Sequence, residues 1–132
     1  MANYKGRFRS NYFGVKDVEA FQAFCEQHDL EFIEKDSLCG FLMNEGTEGG
    51  FQTTGWDEES EEETDTLDEL CQHLAEGQVA IVMEVGYEKM RYLIGRAWVM
   101  NAAGESTFLD LTDLAIAAAK TLTSSQVTSI EY

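Results

Sequence analysis

A chain of 132 residues with 9 Lys and Arg against 25 Asp and Glu has a formal net charge of −16, which opposes binding to nucleic-acid phosphates and anionic membranes and favours basic protein partners. With 44% hydrophobic residues, including eight Phe, five Tyr and two Trp, it is too apolar to stay disordered and long enough for one domain with a real core. Three widely spaced cysteines (Cys25, Cys39, Cys71), an N-terminus without an apolar signal segment and the lack of any membrane-length apolar stretch predict free buried thiols in a cytoplasmic protein.

The first segment, "NYKGRFRSNYFGV", alternates. Tyr4, Phe8 and Tyr12 fall on one side and Lys5, Arg7 and Arg9 on the other, the period of a half-exposed strand. Asp17 caps a helix ending near Asp29, with Val18, Phe21, Phe24, Cys25 and His28 as its apolar stripe. "LEFIEKD" and "LCGFLMNEG" read as two strands around a turn at "KDS", with Phe32, Leu38, Phe41 and Met43 in the core. The stretch at 45–65 is read as an acidic loop with a short strand at 51–54. Thr66 then caps a second helix, Glu69 completing a capping box. Its stripe is Leu67, Leu70, Cys71 and Leu74, and Gly77 marks the stop. "QVAIVMEVG" is nearly continuous in apolar residues and is read as the clearest and a central strand. "MRYLIGRAWVMN" and "STFLDL" follow as strands around a turn with Gly104 at positive φ. "TDLAIAAAKTL" is the last helix, with Leu111, Leu114, Ala115, Ala118 and Leu122 turned inward. The order predicts a single α+β domain over 1–132: a mostly antiparallel sheet of five to six strands with about three helices packed on one face.

Few residues offer chemistry. The two histidines, His28 and His73, show no metal-ligand spacing, so neither a metal nor another cofactor is expected. Cys25 with His28, and Cys71 with His73, read as core thiols beside half-exposed imidazoles rather than nucleophile–base pairs. "GTEGG" lacks the lysine of a phosphate loop. Glu84 and Glu88, beside Lys89 and Arg91, read as a surface turn with local ion pairs. Trp98 is expected to pack on the sheet. No catalytic residue is assigned, and an enzyme is not expected.

The dominant feature is "WDEESEEETDTLDEL". Between Asp57 and Glu69, nine of thirteen residues are acidic and none is basic. A helix start favours Asp65, Asp68 and Glu69 through the helix dipole, but leaves "DEESEEE" unexplained. A carboxylate array beside an aromatic residue has the chemistry to imitate DNA phosphates and occupy the nucleic-acid channel of a protein. The candidate partner-binding residues are therefore Trp56, Asp57, Glu58, Glu59, Glu61, Glu62, Glu63 and Asp65.

Two stretches, "MANYKGRFRSNYFGVKDVEAFQAFC" and "VAIVMEVGYEKMRYLIGRAWVMNAAGES", resemble small acidic proteins carried by plasmids, integrative elements and prophages of bacteria. The resemblance covers about two-thirds of the chain and implies a setting among accessory genes of mobile DNA. Products of such genes often counter restriction or CRISPR systems, some as acidic DNA mimics. It implies no residue-level site. The expectation is thus a non-enzymatic inhibitor or modulator of the anti-CRISPR or anti-restriction type. It would bind a basic, nucleic-acid-handling protein of a bacterial defence system, without touching nucleic acid or membrane. The alternative is a small adaptor or homodimeric scaffold of a mobile element, associating through exposed strand edges, whose acidic loop only solvates it.

Overall fold

The computed structural model describes residues 4–46, 49–89, 92–128 and 130. Elements run β1 (Tyr4–Ser10), α1 (Val18–Gln27), β2 (Leu30–Lys35), β3 (Leu38–Met43), β4 (Thr54–Asp57), β5 (Glu62–Asp65), α2 (Thr66–His73), β6 (Val79–Glu88), β7 (Tyr92–Asn101), β8 (Ser106–Asp110) and α3 (Leu111–Lys120). This is an α+β fold. Six strands form one antiparallel sheet in the order β2-β3-β1-β6-β7-β8, and β4 and β5 form a separate two-stranded hairpin. No described helix is long and apolar enough to cross a membrane.

Alternation sets the faces of the sheet. In β1, Phe8 and Ser10 are buried while Lys5, Arg7 and Arg9 are exposed. In β6, Ala80, Val82 and Glu84 point to the core and Val79, Met83 and Val85 point away. Trp98 and Met100 of β7 pair with Val82 and Ala80 and share the core face. Helices α1 and α2 close this face with Phe21, Phe24, Cys25, Leu70 and Cys71. Phe51 fills the middle, its ring 5.4 Å from those of Phe8 and Trp98.

Several positions depart from the sequence reading. Leu38 is exposed and Cys39 takes its place in the core. Leu38 and Phe41 are three residues apart, and a period of two cannot put both on one face. The strand expected at 51–54 begins at Thr54, and Phe51 packs in the core ahead of it. Asp65, not Thr66, caps α2: its carboxylate accepts the backbone N–H groups of Leu67 and Asp68 at 3.0 and 3.1 Å. Thr66 is the first helical residue, buried, with its hydroxyl unpartnered. Glu69 closes no capping box; it lies 2.9 Å from His28 Nε2.

The largest departure is α3. None of its residues is buried, and the stripe expected to turn inward, Leu111, Leu114, Ala115, Ala118 and Leu122, is exposed. The helix starts against the other face. A Cβ built on Gly95 would meet the Leu111 side chain at 3.1 Å, and Gly95 is paired with the outward-facing Val85. The start of α3 covers part of this side, where Ala97 is buried, and leaves Met83, Val85, Tyr87 and Leu93 exposed.

Candidate functional site

The acidic segment is not a loop throughout. Thr54 pairs with Asp65, Gly55 with Thr64, Trp56 with Glu63 and Asp57 with Glu62. Acidic residues are poor strand formers, so the cause lies in what the hairpin rests on. Its inner side is Gly55 and Thr64, laid against His28. A Cβ at Gly55 would sit 2.8 Å from Thr64 Oγ1 and 3.0 Å from His28 Cε1, so only glycine allows this approach. His28 packs at a tilt against Phe24 with centroids 4.6 Å apart and is held by Glu69 of α2. The Thr66 N–H donates to the Thr53 carbonyl at 2.9 Å, tying the entry of the hairpin to its exit.

The anchor before the hairpin is Glu84, which is fully buried. Its carboxylate accepts from the Tyr4 hydroxyl at 2.7 Å, from Arg96 Nη2 and Nε at 2.8 and 3.2 Å, and from the Phe51 N–H. Gly50 passes so close that a Cβ there would lie 2.6 Å from the carboxylate oxygens. Glu84 is therefore no surface-turn residue: it pins the segment leading to β4 onto the centre of the sheet. Arg91, grouped with it from the sequence, lies outside the described residues.

On the outer side of the hairpin Trp56 is 59% exposed, directly across from Glu63. Glu58, Glu59, Glu61, Glu62, Glu63 and Asp65 are exposed and Asp57 half-buried. At the tip Asp57 accepts the Glu59 N–H at 3.0 Å, and Glu61 adopts φ 54°, a conformation that closes tight turns. The eight candidate residues are thus brought together on one projecting hairpin, although Asp65 also serves as the helix cap. Among the described residues none of these carboxylates is ion-paired; the pairs formed are His28–Glu69 and Arg96–Glu84. A shallow groove of about 410 Å³ at the hairpin's base is lined by Thr53, Glu63, Thr64, Leu67 and Trp98 among others.

The thiols are poorly placed for nucleophilic chemistry. Burial pushes Cys25 up to about 12, and burial raises Cys39 and Cys71 as well, the opposite of an activated thiolate. Burial also lowers the pKa of His73. Among the described residues no group of three or more His, Cys, Asp or Glu side chains is arranged to hold a metal ion. The sequence missed Glu84 as an anchor and Gly55 as a seat. The signal for Glu84 was a lone carboxylate inside an apolar strand, which requires partners. No protein-family model, curated protein or solved structure matches the chain.

Proposed function

We propose that this protein is a non-enzymatic binder of a basic, nucleic-acid-handling protein, engaging it through the β4–β5 hairpin as a mimic of nucleic-acid phosphates. The supporting observation is the hairpin itself: six exposed carboxylates and an exposed tryptophan, with no cation among the described residues paired to them, on a base fixed by His28 and Glu84. The backbone pairing sets the spacing of the charges in advance, so less ordering is needed on binding. Trp56 supplies the aromatic anchor that interfaces favour. The class of target, a component of a bacterial defence complex such as a CRISPR effector, follows from the resemblance to proteins of mobile elements.

The test uses the triple variant Glu61→Gln, Glu62→Gln, Glu63→Gln. Wild type should capture a basic nucleic-acid-binding protein from a bacterial lysate at low salt and release it at high salt. The variant should bind that protein more weakly, with the loss concentrated in the association rate. Its own stability should be unchanged or slightly higher, because exposed charge pairs contribute at most about 1 kcal/mol. Equal affinity of both proteins at two salt concentrations would exclude the hairpin as the contact surface.

A further inference from the structure

The side of the sheet away from α1 and α2 carries a surface the chain does not cover. Met83, Val85, Tyr87, Leu93, Leu111 and Leu114 are between 42% and 75% exposed. They are contiguous: Tyr87 pairs with Leu93, Val85 with Gly95 and Met83 with Ala97, and Leu111 lies against Gly95, joining the sheet to the exposed stripe of α3. Leu109, paired with Ala97, extends the patch. No residue on this side of β6, β7 or β8 is charged, in a chain with 25 acidic residues. The near-continuous apolar run of β6 is the pattern of a strand buried on both faces, and the fold buries only one.

We infer that this face is a self-association surface, covered in solution by a second copy of the chain. Size is the first support. Taking roughly 100 Å² for a whole aliphatic side chain, these seven expose on the order of 400 Å² of apolar area. A standard interface buries about 800 Å² per partner, a little over half of it apolar, so the patch is of dimer size. Charge is the second. Two copies at −16 repel each other wherever acids meet, and this side of β6, β7 and β8 is free of acids and bordered by the cations of β1. Arg9, Arg7 and Lys5 are the cross-strand neighbours of Met83, Val85 and Tyr87. At the opposite border the first turn of α3 carries Asp113. A two-fold axis parallel to the strands sets the basic border of one copy over the acidic border of the other, as an isologous contact requires. The β4–β5 hairpin lies on the α1–α2 side, so the dimer keeps both hairpins free and is bivalent.

Sedimentation velocity tests this without reference to any other partner. Wild type should be a dimer at micromolar concentration, and added salt should tighten it by screening the repulsion between copies, the reverse of its effect on an acidic hairpin held by a basic protein. The double variant Val85→Glu, Leu93→Glu places carboxylates in the apolar centre and should weaken dimerisation by about tenfold or more. Leu114→Glu, on the helix, should weaken it independently. Both act at exposed positions, so circular dichroism should find the wild-type fold. The triple Gln hairpin variant should dimerise as wild type does. A monomeric wild type, or a dimer that persists in both Glu variants with native circular dichroism, would overturn the assignment, including the case in which copies join through the free edge of β8.

Discussion

At the scale of single residues, Glu84 carries most of the connection between sheet and hairpin. A fully buried carboxylate is tolerable only when its charge is matched and its lone pairs are occupied, and here Tyr4, Arg96 and the Phe51 N–H do both. The glycines around it follow from that packing. Besides Gly50 under the carboxylate, Gly6 and Gly86 leave room for the Tyr4 ring, which a Cβ at either position would meet within 2.8 Å. Removing one member of a buried pair strands the other, so Arg96→Ala should destabilise the fold by about 3 kcal/mol, read as the shift in denaturation midpoint. An unchanged midpoint would mean that water replaces the guanidinium. The sequence could not reveal this network, because its members are 80, 33 and 12 residues apart in the chain.

At the scale of elements, what was legible depended on periodicity. The alternation of β1 and the stripes of α1 and α2 are strong local signals, and the structure follows them except at Val18, which lies in the first turn of α1 and is exposed. The β4–β5 hairpin is invisible to the same reading. "TGWD" and "EETD" have no apolar alternation, and their pairing is imposed by the seat of Gly55 and Thr64 on His28, a tertiary contact. The start of α2 is a subtler case: Asp65 and Thr66 are both capping residue types, one position apart, and only the backbone decides. The two have opposite expected effects. Asp65→Ala removes the side-chain acceptor for two helix N–H groups and should cost about 1 kcal/mol. Thr66→Val replaces a buried, unpartnered hydroxyl with a methyl group and should be neutral or stabilising. Urea denaturation of both variants decides it, and a larger loss for Thr66→Val than for Asp65→Ala would return the cap to Thr66.

For the whole molecule, two kinds of electrostatics act at different depths, and pH with salt separates them. The surface charge of −16 repels itself through solvent, so salt should raise stability at neutral pH. The buried thiols act in a region that salt screens far less. Their folded pKa values are raised by burial, Cys25 from 9.0 to about 12, and the Tyr4 hydroxyl is raised in the same direction by burial and by its bond to Glu84. A group raised on folding holds more protons in the native state. The stability it contributes is fully present below its unfolded pKa and is lost as pH rises towards the folded value. For Cys25 that window opens near 9.0 and closes at about 12. At the acid end His73 behaves in the opposite way. Its pKa is lowered by burial from 6.5, so its contribution is complete above that value and fades as pH falls below it. The denaturation midpoint should therefore decline above pH 9, and high salt should lift the whole curve without removing that decline. Replacing Cys25 with Ala should flatten the alkaline limb, whereas the triple Gln hairpin variant should reduce the salt response and leave the limb in place. An alkaline decline abolished by salt would assign it to surface repulsion and not to the core thiols.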